Sequence, residues 1–81
     1  MTGPNPILLI LGAGNRVGLL TASYFAQRGY RVAVVSRSIS AAENPGYLTI
    51  NADLADPGTV GTVFTTVREK LGEPNVIVYN G

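Results

Sequence analysis

The 81-residue chain has no cysteine and no histidine. Without thiols it forms neither disulfides nor thiolate metal sites. Without imidazole it lacks the commonest neutral metal ligand and the commonest general base. No metal site is therefore expected. Long apolar runs are also missing. They stop at four to six residues, far below the roughly 20 that a membrane helix needs. Residues 1–6, MTGPNP, carry no basic lead of the kind that opens a targeting segment. Nor is there an excess of either charge: six Lys and Arg face five Asp and Glu, for a net charge of +1. A nucleic-acid-binding surface usually carries a basic surplus, and none is present. These absences predict a cytoplasmic protein of one small domain at most, with neither nucleic acid nor membrane as a partner. The few arginines suffice for one small anionic ligand.

Alternation is what the chain does have. Residues 7–11, ILLIL, are apolar at every position, as in a strand buried on both faces. Glycines follow at 12, 14 and 18. Val17, Leu20, Thr21, Tyr24, Phe25 and Arg28 then recur near helical spacing, and Gly29 supplies a stop. RVAVVS, 31–36, predicts a second strand, and RSISAAENPG, 37–46, a short connection. YLTIN, 47–51, predicts a third strand. Asp56 with Pro57 predicts a helix start, and Val60, Val63, Phe64, Val67 and Leu71 form one apolar stripe up to Gly72. NVIVY, 75–79, predicts a fourth strand. Tyr24, Phe25, Phe64 and the valines are expected in the core. Tyr30 and Tyr47 are expected to be partly buried at strand edges, while Tyr79 fits either the core or a crevice. Strand and helix alternating in this way predict an α/β fold, a Rossmann-type doubly wound parallel sheet with strand order 3-2-1-4.

In such a sheet the chain reverses beside the first strand and leaves a crevice at the strand C-termini. The glycine turn would open into that crevice and lead straight into a helix. A helix N-terminus presents unpaired N–H groups and partial positive charge, and glycine lets the backbone approach a ligand closely. The turn, with Gly12, Gly14, Asn15, Arg16, Val17 and Gly18, is thus a candidate pyrophosphate cradle. A tight turn that merely packs helix on strand is the plainer alternative.

The spacing G-x-G-x-x-x-G resembles the glycine motif of the short-chain dehydrogenase/reductase family, T-G-x-x-x-G-x-G. Gly12 and Gly18 match its first and last glycines, and Val17 stands where isoleucine is usual. Leu11 replaces the threonine and Arg16 the middle glycine. Two further stretches are similar to the family's landmarks in order. Asp53-Leu54 looks like its Asp-hydrophobic pair, which implies an adenine contact: a hydrogen bond from the amino group to Asp53 and apolar contact with Leu54. Asp also favours turns, which is the simpler role for Asp53. VYNG, 78–81, resembles V-N-N-A; Asn80 matches its second asparagine, and Tyr79 and Gly81 depart. The resemblance covers essentially the whole chain and implies a dinucleotide cofactor.

The end of the second strand discriminates between cofactors. A carboxylate there would bond a ribose 2′-OH and repel a 2′-phosphate. The sequence has Ser36-Arg37 instead, with no carboxylate before Glu43. A hydroxyl can donate to a phosphate oxygen and a guanidinium can pair with one. Arg16 offers a second cation. NADP(H) is therefore expected in preference to NAD(H).

The family's chemistry is carried by a serine, a tyrosine and a lysine that come after the fourth strand. None of the four tyrosines here has a lysine four residues on, so no catalytic residue is assigned. The expectation is that 1–81 forms the N-terminal part of an NAD(P)-binding domain. The rest of the same polypeptide would complete it, and the full-length protein would be a homo-oligomer. An apolar fourth strand at an open edge predicts that the chain alone is marginal, oligomeric or partner-dependent. Two other functions fit the same residues: a non-catalytic NADP(H)-sensing module, and a methyltransferase-like nucleotide-binding domain. Ser36-Arg37 disfavours the latter, since an acidic residue would normally hold the ribose hydroxyls there.

Overall fold

A computed structural model of the chain describes residues 5–12, 16–38 and 46–79, with residues 16–18 described by backbone alone. The elements are β1 (Ile7–Leu11), α1 (Arg16–Ala26), β2 (Arg31–Ser36), β3 (Leu48–Asn51), α2 (Pro57–Lys70) and β4 (Val76–Tyr79). The four strands form one parallel sheet in the expected order β3-β2-β1-β4. Among the described residues no helix is long and apolar enough to cross a membrane.

Side chains alternate across a strand with a period of two, so β1 and β2 feed two cores. Ile7, Leu9, Leu11, Ala33 and Val35 meet Val63 and Val67 of α2 on one face. Leu8, Ile10, Val32 and Val34 meet Ala22 of α1 on the other. A helix on each face explains why ILLIL contains no polar residue: every position of β1 is buried. Full burial of a leucine such as Leu9 contributes about 2 kcal/mol. At the β4 edge the pattern breaks. Ile77 and Tyr79 lie opposite Leu9 and Leu11, on the α2 side, and both are exposed. Tyr79, at 72% exposed, does not enter the core.

The helix ends follow from local chemistry. Asp56 Oδ1 accepts a hydrogen bond from the Gly58 amide at 3.1 Å, and Pro57 occupies the first helical position. At the far end of α2 the Leu71 and Gly72 amides both donate to Val67 O, at 2.8 and 3.0 Å. Gly72 has φ +128°, and a Cβ there would sit 3.1 Å from Ile7 Cδ1, so only glycine fits without strain. Helix α1 ends at Ala26, and a turn carries the chain to the expected stop. Gly29 N donates to Ala26 O at 3.1 Å and Tyr30 N to Phe25 O at 3.2 Å, with Gly29 at φ +89°. This pair of bonds with a left-handed glycine is a Schellman cap. Its usual apolar contact is present too, as the Phe25 and Tyr30 rings meet edge-on with centroids 4.9 Å apart.

One core expectation is corrected. Tyr24 is not in the core but 54% exposed, as is Leu20 at 68%. Helix α1 meets the sheet through Leu19, Ala22, Phe25 and Ala26, and Leu20, Tyr24 and Arg28 lie on the opposite side of a 3.6-residue helix. The Arg28 guanidinium lies 3.6 Å from the Tyr24 ring centroid and donates to Tyr24 O at 3.2 Å. Phe25, Phe64, Tyr30 and Tyr47 are partly buried and packed against the cores.

Candidate functional site

Of the residues singled out by the sequence, Gly12, Ser36, Arg37, Asp53 and Leu54 follow or end strands β1, β2 and β3. Gly12 follows β1 with φ +88°, a conformation open to glycine at no steric cost. Its amide donates to Val35 O at 2.8 Å, which ties the start of the glycine turn to the end of β2. Ser36, the next residue of β2, accepts the Ala52 amide on its own carbonyl at 3.1 Å. Ala52 immediately precedes Asp53. Two backbone bonds thus hold the glycine turn, the Ser36-Arg37 step and the Asp53-Leu54 pair at one end of the sheet.

Helix α1 begins at Arg16, so Arg16, Val17 and Gly18 form its first turn. Helix α1 thus follows β1 and Gly12 in the expected order, and its N-terminus carries partial positive charge. Gly14, Asn15, Asn80 and Gly81 lie outside the described residues.

Ser36 is buried at 7% exposure, and its Oγ accepts the Ser38 amide at 3.4 Å. Arg37 and Ser38 are exposed. Asp53 is exposed as well and makes a turn: Oδ1 accepts the Ala55 amide at 3.0 Å and its carbonyl accepts the Asp56 amide at 3.1 Å. The simpler role that the sequence allowed for Asp53 is therefore real, and it engages one carboxylate oxygen. Leu54 is partly buried against the α2-side core. The sequence reading missed Ser38 and Ala52, whose amides brace the end of β2. A serine two residues before another is a recognisable signal for the first of these, because Ser hydroxyls bond the backbone two residues on. The second depends on strand register.

No family model matches the sequence. Over 77 residues the chain is 39% identical to "Short chain dehydrogenase/reductase dmxR12" from Cryptosporiopsis sp. (strain 8999), covering 95% of this chain and 31% of that protein. The chain belongs to the short-chain dehydrogenase/reductase family. Solved structures show the short-chain dehydrogenase/reductase fold as well. A double variant of the Serratia marcescens short-chain dehydrogenase/reductase superposes with a TM-score of 0.80 at 20% identity, over 95% of this chain and 36% of that one. A variant of ElxO solved with NADPH bound gives 0.78 at 22% identity, over 94% of this chain and 34% of that one. The chain spans about a third of the length of these relatives.

Proposed function

We propose that the chain is the NADP(H)-binding portion of a short-chain dehydrogenase/reductase that moves hydride between nicotinamide and a carbonyl or alcohol substrate. The observation that carries this reading is the end of β2. Ser36 and the exposed Arg37 stand there with no carboxylate following in the sequence before Glu43, and the Gly12–Val35 hydrogen bond ties this strand end to Gly12. A dinucleotide suits this arrangement. Its diphosphate would lie on the glycine turn and the first turn of α1, where Gly12 at φ +88° carries no Cβ to hold it off and a helix N-terminus favours an anion. The 2′-phosphate would meet Arg37, which follows Ser36 at the end of β2, with Arg16 as a second cation. Asp53 and Leu54 would border the adenine, and Asn80 and Gly81 would follow β4 toward the nicotinamide side. ElxO, similar in fold, was solved with NADPH, which supports a nicotinamide dinucleotide.

The cofactor supplies the hydride chemistry when bound; the residues of this chain bind and orient it. Under this reading residues 1–81 are the N-terminal part of the binding domain. The proton-handling serine, tyrosine and lysine belong to the remainder of a longer polypeptide.

The test is a pair of titrations, NADPH and NADH side by side, on the wild-type chain and on Arg37→Ala. Tighter binding of NADPH that disappears in the variant supports the reading. Equal losses for both cofactors would overturn the 2′-phosphate assignment.

A further inference from the structure

We infer that Ser36 is a positioning residue for Arg37, favouring a 2′-phosphate by shaping the chain rather than by touching the phosphate. This rests on the assignment of Arg37 above. Ser36 is the last residue of β2 and is withdrawn from solvent, whereas Arg37 and Ser38 beside it are exposed. Three hydrogen bonds converge at this point. Val35 O accepts Gly12 N at 2.8 Å, Ser36 O accepts Ala52 N at 3.1 Å, and Ser36 Oγ accepts Ser38 N at 3.4 Å. The first two anchor the strand end between β1 and β3. The third closes a bend across Arg37, because its acceptor lies one residue before the arginine and its donor one residue after.

A long cationic side chain samples many rotamers, and its root decides which volume they sweep. Closing the bend fixes that root and reduces the ordering cost of gripping a planar anion. The Gly12–Val35 and Ala52–Ser36 bonds use backbone atoms only, and alanine at position 36 would preserve both. Removing the hydroxyl of Ser36 would thus open the bend across Arg37 while leaving those two backbone bonds in place.

A double-mutant cycle on the full chain tests this, with dissociation constants for NADPH and NADH measured on wild type, Ser36→Ala, Ser36→Thr, Arg37→Ala and the Ser36→Ala/Arg37→Ala pair. Loss of one hydrogen bond corresponds to roughly a fivefold change in Kd. Ser36→Ala should weaken NADPH by about that factor and NADH by less than about twofold. Ser36→Thr, which keeps the hydroxyl, should restore the wild-type ratio. In the Arg37→Ala background, Ser36→Ala should have no further effect, since nothing is left to position.

An NADPH loss of the same size with and without Arg37 would make Ser36 a direct ligand and overturn the inference. Equal losses for both cofactors, or no loss in Ser36→Ala, would overturn it too. An unchanged NADPH-to-NADH ratio in Arg37→Ala, or binding of neither cofactor by wild type, would instead remove the assignment of Arg37 itself.

Discussion

Where the strands begin, Arg31 donates from Nη1 to Leu71 O at 3.2 Å, and Asn75 exchanges two hydrogen bonds with Ile7. The Ile7 amide donates to Asn75 Oδ1 at 2.8 Å, and the Asn75 amide donates to Ile7 O at 2.9 Å. Where the strands finish, the ties are of another kind. Gly12 and Ala52 bind β2 through backbone atoms alone, and the guanidinium of Arg37 bonds to no described residue. Strand β2 therefore has an arginine at its start that closes the fold and one just past its end that bonds to none of the described residues. A charge whose donors are satisfied within the chain has little left to offer a phosphate. The same contrast holds for the groove of about 330 Å³ at the starting end. It is lined by Asn5, Ile7, Gly72, Glu73 and Asn75 among others, and Asn75 is already committed to β1.

Four substitutions would break or sharpen this contrast. The largest effect belongs to Arg37→Ala. Losing charge-assisted bonds worth about 2 kcal/mol should weaken NADPH roughly thirtyfold and NADH far less. The melting temperature should stay unchanged, because the side chain supports no described contact; a fall in Tm would place Arg37 with Arg31 among the structural residues. Asn75→Ala should do the reverse. It leaves the part-buried Ile7 amide without its acceptor, at about 1.5 kcal/mol of stability by denaturant titration, with the cofactor ratio untouched. Gly72→Ala comes next, at about 1 kcal/mol, from the positive φ and the close approach of Ile7. A neutral result there would mean that Ile7 yields easily. The smallest change is expected for Arg31→Ala, roughly 0.5 kcal/mol of stability for one exposed bond to a carbonyl, again with no cofactor effect. Were Arg31→Ala to shift the NADPH-to-NADH ratio, the division between the two ends of the sheet would be lost.

Much of this arrangement is legible in the sequence, and the limits fall where contacts become long-range. Strands β1 and β2 run over the expected residues: β1 is an unbroken apolar run closed by Gly12, and β2 holds the valine-rich run VAVV between Arg31 and Ser36. Strands β3 and β4 begin one residue later than the spacing predicts, at Leu48 and Val76, and Asn75 bonds Ile7 of β1 through both its amide and its side chain. In α1 the apolar residues outnumber the positions that touch the sheet. Spacing alone placed Tyr24 inside, whereas the small Ala22 sets the line of closest approach. At the candidate site the order of the motifs could be read directly, along with the chemistry of Ser36 and Arg37. The turn-capping role of Asp53 was visible as an alternative.

By itself the sequence determined the alternation of strand and helix, the parallel sheet and its strand order, and the absence of a carboxylate after β2. These follow from local periodicity, from capping chemistry and from the handedness of crossovers, none of which needs a distant partner. Tertiary structure alone decided which polar groups are used up among the described residues: Arg31 and Asn75 bond within the fold, and Arg37 bonds to none of them. That division depends on register across strands, and register brings together residues as far apart as Ile7 and Asn75, whose pairing no local pattern encodes.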